Sequence, residues 1–408
     1  MRQYKRSQSG FAHVGLLILV LVVLVVVGAV GYRVFSKKGG LSLKTITGSY
    51  NEVDGWQTDC DNNNRVNMTH LPMNMDDVSS VTPVGLTAGA HVTPIDHLYF
   101  YPKEGPRDKY PVYAMADGYI TGIGTRGVNV STGEKRPTEY RIVMQHSCQT
   151  LSYFDLVTKL DQSIIDKFPD AATKGMSGRF PIKAGQEIGR IGAQSLDTAI
   201  YNKDLILKGF IHPSMYKAEP WKVHTDQFFT YFSEPLRSQM LAKNARKVEP
   251  VSGKIDYDQP GKLIGNWFKV GNNGYAGPTG FNGVGSNNQG PWTGHLAIFY
   301  DAYDPSIIDI SIGDFKNHQP QAFNVTGNKP DPATISKASG IVKYELVQQS
   351  NAGIGPGGMT QQNSGPQPVA GTVLFQVLAG EKLKVEYFVD KPASQATGFT
   401  SAAIMYER

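Results

Sequence analysis

Cysteine is almost absent from this chain: Cys60 and Cys148 are the two in 408 residues. Neither has a CxxC neighbour, which argues against a cysteine-based metal site. Acidic residues are missing from the first 40 positions, which carry Arg2, Lys5, Arg6, Arg33, Lys37 and Lys38. Those six account for the net charge of +5, because setting them aside leaves 34 basic against 35 acidic residues. A chain so balanced has no basic face for nucleic acid. G-x-S-x-G and Walker-type loops are absent too. Gly122–Gly127 has GxGxxG spacing, but it continues a strand instead of opening a helix, so it reads as a turn and not a dinucleotide site.

What the sequence does have is one long apolar run, Phe11 to Tyr32, in which His13 is the only side chain that titrates near neutrality. At about 1.5 Å per residue it spans roughly 33 Å, enough for a bilayer core. Tyr32-Arg33-Val34-Phe35 follows in place of small residues, which favours an uncleaved anchor over a secretory signal. The expected layout is therefore a basic leader (1–10) and a transmembrane helix (11–35), with the bulk of the chain extracytoplasmic. The leader resembles that of type IV pilin-like proteins at Gly10-Phe11. It departs from them at Gly15, where they carry Glu. A surface-filament or adhesin subunit is thus one alternative function. In an oxidising compartment Cys60 and Cys148 form one disulfide or remain two thiols, and both readings stay open. Asn67, Asn129 and Asn324 stand in Asn-x-Ser/Thr sequons, relevant only in a glycosylating host.

Beyond the anchor the writing is mainly β. Residues 36–80 read as a juxtamembrane linker and irregular segment, 81–215 as a first β domain, and 216–250 as a helical connector. Residues 251–408 read as a C-terminal all-β barrel or sandwich. In the first domain, Tyr110–Gly124 predicts a hairpin turning at Asp117-Gly118. Tyr140–Gln145 with Leu151–Leu156 predicts a second hairpin, and Phe180–Gly192 a third, turning at Gly185. Asp161–Phe168 reads as a short helix or an insertion. The connector predicts helix over 225–248, interrupted at Pro235. The C-terminal domain predicts strands at Leu296–Tyr300, Ile307–Ile312, Ile341–Val347, Thr372–Val377 and Lys382–Val389. Its opening Gly265-Asn266-Trp267 is similar to the Gly-x-Trp of lipocalin-type barrels, with Trp267 expected to plug a barrel end.

Three segments carry a resemblance over residues 84–202. They are Pro111–Ala114 with Asp117–Ile120, His146–Leu156 (HSCQTLSYFDL) and Ile182–Gly192 (IKAGQEIGRIG). Together they resemble the lysostaphin/LytM-type zinc endopeptidases, which cut peptide cross-bridges of bacterial cell walls. The resemblance implies a β-sheet domain with a zinc held by the His and Asp of His-x-x-x-Asp and one His of His-x-His, the other His of that pair and a further His serving catalysis. The first motif is approximated by His91 and Asp96, with one extra residue between them. The second falls in Ser195–Ile200, where both histidines are missing and Leu196, Asp197 and Thr198 stand instead. The remaining His is replaced by Asp155.

His91 and Asp96 are therefore the residual metal candidates, and His97, His146, Asp155 and Asp197 the candidate groove residues. His212 and His224 are outlying candidates. The expectation is a catalytically inactive LytM-like domain without a cofactor, in a membrane-anchored binding or scaffold protein. Its expected partners are peptidoglycan or a cell-envelope protein. A zinc metallopeptidase with shifted ligands is the enzymatic alternative, because catalytic zinc needs three protein donors and an open position for water.

Overall fold

The computed structural model describes residues 64–88, 91–128, 135–174, 176–277, 290–349, 354–355, 358–359 and 367–408. The apolar run 11–32 and Cys60 lie outside them. Among the described residues no helix is long and apolar enough to cross a membrane.

The first part of the fold contains β1 (Val78–Thr82), β2 (Leu98–Pro102), β3 (Tyr110–Tyr113), β4 (Gly118–Val128), β5 (Lys135–Gln145), β6 (Thr150–Val157) and β7 (Lys159–Leu160). Helices α1 (Gln162–Lys167) and α2 (Ala171–Lys174) follow, then β8 (Met176–Ile182), β9 (Glu187–Ile191) and β10 (Leu196–Asn202). Seven of these strands form one sheet in the order β1-β2-β10-β6-β5-β4-β8, and β3-β9-β7 form a smaller one. Alternation explains the packing. Leu98 and Phe100, Phe154, and Leu196 and Ile200 point into one core, while Tyr99, Tyr153, Asp155, Asp197 and Ala199 face the other way. Short α1 starts where Asp161 accepts a hydrogen bond from the Ser163 N–H at 2.9 Å, satisfying a donor the first turn leaves open.

The expected β5–β6 hairpin and the helix after Asp161 are present. The other two expected hairpins are not. Strand β3 pairs with β9 while β4 pairs with β5 and β8, so the Asp117-Gly118 turn passes the chain from one sheet to the other. The Gly185 turn does the same between β8 and β9. Gly185 has φ +81°, and a Cβ there would sit 2.9 Å from the His70 ring, so the turn requires glycine. The connector is less helical than expected. Only α3 (Leu236–Lys243) is α-helix, beginning after Pro235, and Phe228–Tyr231 is a 3-10 turn.

The second part has β11 (Gly265–Lys269), β12 (His295–Tyr300), β13 (Ile308–Lys316), β14 (Gln319–Thr326), β15 (Val342–Gln348), the small pair β16 (Ile354–Gly355) and β17 (Gly358–Met359), β18 (Val369–Leu378), β19 (Lys382–Val389) and β20 (Ile404–Glu407). Eight of them, in the order β11-β12-β13-β14-β15-β18-β19-β20, close an antiparallel barrel, which decides between barrel and sandwich. Trp267 is fully buried, and its indole N–H donates to the Leu263 carbonyl at 2.8 Å. Arg408 lies 4.0 Å above the ring and donates to the carbonyls of Ile264 (2.6 Å), Gln259 (2.6 Å) and Lys262 (2.7 Å). A cation–π contact desolvated in this way is worth about 2 kcal/mol. Gly265, at φ +124°, leaves the space: a Cβ would stand 2.3 Å from Asp258 Oδ1 and 2.6 Å from the Arg408 guanidinium.

Candidate functional site

The sheet face opposite the main core gathers most of the residues singled out in sequence. Asp197 on β10 stands in register with Asp155 on β6 and with Tyr99 on β2. His97, on the approach to β2, lies over this row. Its Nδ1 is 3.1 Å from Asp96 Oδ1. A carboxylate only accepts, so that nitrogen carries the proton. Nε2 is 3.1 Å from the Tyr99 hydroxyl and 3.7 Å from Asp197 Oδ2. His97 thus sits between two carboxylates, with its ring nitrogens hydrogen-bonded to Asp96 and Tyr99 and Asp197 3.7 Å from Nε2.

Each carboxylate is held by other donors as well. Tyr201 Oη donates to Asp96 Oδ2 at 3.2 Å, and Ser195 Oγ donates to Asp197 Oδ1 at 3.0 Å. Asp155 accepts from the Leu156 N–H at 2.8 Å and from Arg141 Nε at 2.6 Å, with a second guanidinium nitrogen also in contact. The Arg141 guanidinium also lies 4.9 Å from the Tyr153 ring centroid, and Tyr153 stacks on Tyr201 at 5.8 Å. All this is enclosed. His97 and Asp197 are 7 % exposed and Asp155 is 2 % exposed. Isolated charges buried so deeply would be costly, and the network of donors offsets that cost.

A second layer comes from the segment between the sheet and the barrel. Lys222, buried in a 3-10 turn, donates to the Pro94 carbonyl at 2.8 Å and lies 5.6 Å from the Tyr275 ring centroid. Burial pushes the Asp96 carboxyl up, but the Lys222 ammonium and the His97 hydrogen bond overcome it and hold the group well below the usual carboxylate range. Burial, followed by the negative charge of Asp96, pushes Glu219 up. Tyr275 follows β11 and hydrogen-bonds toward Glu219 and Thr93, so the barrel half supplies part of the cover.

The remaining candidates are dispersed. His91 is half-buried, with its ring edge-on to His97 at 5.9 Å. His146 turns elsewhere: its nitrogens contact the Asp117 carbonyl (3.0 Å) and Ser152 Oγ (2.8 Å), and burial pushes it down to about 4. It belongs to the β5–β6 turn and is not a groove residue. His224 bonds the Leu205 carbonyl, and His212 precedes the 3-10 turn Pro213–Tyr216. Cys148, in that same β5–β6 turn, is disulfide-bonded. Sequon residue Asn324 is buried, with its amide hydrogen-bonded to Asp309, so it is closed to modification in the folded chain.

Strand register changes one sequence expectation. Leu196 and Thr198 both point into the interior and are fully buried. The i, i+2 pair facing the polar network is Asp197 and Ala199, so a His-x-His on this strand would occupy 197 and 199. Sequence reading missed His97 as the centre of the network, together with Tyr99, Tyr201, Lys222 and Tyr275. The alternation of Tyr99 and Tyr101 with core-facing Leu98 and Phe100 was the available signal for the tyrosines. Among the described residues no three His, Cys, Asp or Glu side chains are arranged to hold a metal ion.

No known protein family and no curated protein matches the chain. Among solved structures, Csd3 of Helicobacter pylori aligns at 15 % identity over 34 % of this chain and 32 % of its own, with a TM-score of 0.23 in one crystal form. A second crystal form gives 0.21. The chain thus spans about a third of the length of those Csd3 chains. Lysostaphin in solution aligns at 12 % identity over 86 % of this chain and 88 % of its own, with a TM-score of 0.21. Superpositions this loose carry no argument about fold or activity.

Proposed function

We propose that this is a membrane-anchored, extracytoplasmic binding or scaffold protein of the cell envelope, whose LytM-like sheet performs no hydrolysis. The observation that carries the reading is His97 lodged between Asp96 and Asp197, with both carboxylates already held by other donors. A hydrolase of this kind needs metal ligands with free lone pairs and an open water position. Asp155, locked by Arg141, stands where such an enzyme carries an imidazole, and an anion cannot donate a proton to a developing oxyanion. The LytM-like reading is supported by the sequence segments 111–120, 146–156 and 182–192. The anchor is supported by the apolar run 11–32. The disulfide at Cys148 supports an oxidising compartment. Because the network is buried under Lys222 and Tyr275, peptidoglycan or a protein partner would contact other surfaces of the molecule.

Full-length protein incubated with zinc and purified peptidoglycan should release no new amino termini, and carbonate-washed membranes should retain it. Release of termini that His91→Ala abolishes would restore the metallopeptidase reading.

A further inference from the structure

A second buried acidic pair lies outside the sheet network, where the β12–β13 turn of the barrel meets the first half of the chain. Asp301 and Asp309 are each 2 % exposed. Asp309 lies on β13, between Ile308 and Ile310, which face the barrel interior, so its side chain is directed outward against the first half. Asp301 Oδ1 accepts the N–H groups of Tyr303 and Asp304, each at 2.8 Å. Asp309 Oδ1 accepts from the Asn324 amide at 2.5 Å, and Oδ2 accepts from the Gln349 amide at 3.1 Å. That leaves Asp301 Oδ2, which is buried and receives no N–H or O–H donor among the described residues. Asp309 is in register with Phe299, and the Asp301 N–H continues that ladder by donating to the Ile307 carbonyl at 3.0 Å, so the two side chains are diagonal neighbours on one face of β12–β13. Two buried anions facing each other repel, whereas one proton between them satisfies the last open oxygen.

We infer that Asp301 and Asp309 share one proton, and that this acid pair is a pH-sensitive latch between the barrel turn and the first half of the chain. The turn docks through groups next to the pair. Gln349 Nε2 reaches Thr87 Oγ1 at 3.4 Å, and Arg246 donates to the Ala302 carbonyl at 2.8 Å. Other ionisable groups facing the pair do not supply the missing donor. Arg246 also donates to the Pro250 and Glu249 carbonyls. The Tyr257 hydroxyl donates to the Tyr300 carbonyl at 3.3 Å. Asp304 accepts from the Ser306 N–H, and Tyr303 lies near Tyr101 and Asp301 without donating to Asp301 Oδ2. Burial, then mutual repulsion for Asp309, pushes both acids up. The native state therefore holds a proton that the unfolded chain has released. The latch is fully closed below the unfolded carboxylate range, weakens with rising pH, and is lost once the pair gives up its proton.

The test is a thermal-unfolding series on the full chain from pH 4.5 to 9, starting just above the unfolded carboxylate range of about 4, comparing wild type with Asp301→Asn. In that variant a permanent N–H replaces the shared proton while the remaining oxygen keeps the turn bonds. Its melting temperature should rise relative to that of wild type by about 1–3 °C per pH unit over the range in which wild type still holds the proton. Infrared spectra at pH 7 should show a buried carboxylic-acid carbonyl that Asp301→Asn and Asp309→Asn each remove. Parallel melting profiles, or no acid band in wild type, would overturn the inference. A rise in wild-type melting temperature with calcium that matches the Asn effect would also overturn it, because a cation would then fill the proton's place.

Discussion

In the barrel, strands that are neighbours in sequence are neighbours in space, whereas in the seven-stranded sheet they often are not. Strands β12 to β15 pair in succession, and β18 to β20 do the same. In the sheet, β10 is inserted between β2 and β6, while β3 and β9 leave for another sheet altogether. The two regions also treat buried charge differently. The barrel interior is aliphatic and aromatic, with its acid pair held outside against the other half, whereas the sheet covers a network of aspartates, histidine and tyrosines. Local pairing makes a region readable from its own residues, and a polar network assembled from distant strands does not announce itself that way.

The largest effect should come from confusing the two faces of β10. Leu196→His/Thr198→His places two imidazoles in the main core and should unfold the first half of the chain, as loss of cooperative melting would report. Asp197→His/Ala199→His places them on the polar face and should leave a folded protein with measurable zinc affinity by calorimetry. If the first variant folds and binds zinc instead, the faces of β10 are the reverse of those described.

Next come the anchors of each region. Trp267→Ala should cost about 3–5 kcal/mol in denaturant unfolding, because it empties the closed end of the barrel and strands Arg408. Arg141→Ala should cost a similar amount, about 3–5 kcal/mol, by leaving Asp155 buried and unpaired. The pair Arg141→Met/Asp155→Leu should recover most of that loss, since well-packed apolar groups can replace a buried ion pair. Failure to recover would mean that the ion pair does more than fill the site.

A smaller effect concerns acid. Burial pushes His146 down to about 4 and His295 down to about 3, so both are neutral in the fold at pH 5 while an unfolded imidazole is charged. The unfolded state then binds more protons, and stability falls as pH drops from about 6.5 toward those values. His146→Gln should flatten that fall by up to about 3 kcal/mol in melts between pH 7 and 4. An unchanged profile would contradict the buried, neutral assignment. Smallest of all, Asp197→Asn should change stability by less than about 1 kcal/mol, since the amide oxygen still accepts from Ser195.

Much of the fold was legible where pattern and pairing agree. The hydrophobic alternation of residues 296–300, 307–312 and 372–389 marks barrel strands directly. Strand β14 escapes such a reading because Gln319-Pro320-Gln321 has no apolar alternation, and β20 because it is only four residues long. The Asp117-Gly118 and Gly185 turns are recognisable as turns, but not as transfers between sheets, since a turn's sequence fixes its backbone and not its partners. Of the site, Asp96 and Asp197 were found, and they do converge. Adjacent residues such as Asp96 and His97 point to opposite faces on a strand, but these two precede β2, where that alternation does not apply. Lys222 and Tyr275 lie more than 120 positions from Asp96, and only the tertiary fold brings them to it.

The most direct test is metal content. Full-length protein purified without chelator and dialysed against micromolar zinc should retain far less than one zinc per chain, with wild type and His91→Ala/Asp96→Ala alike. One tightly held zinc per chain, lost in that double variant, would contradict the claim that His97 and its partners have closed the site.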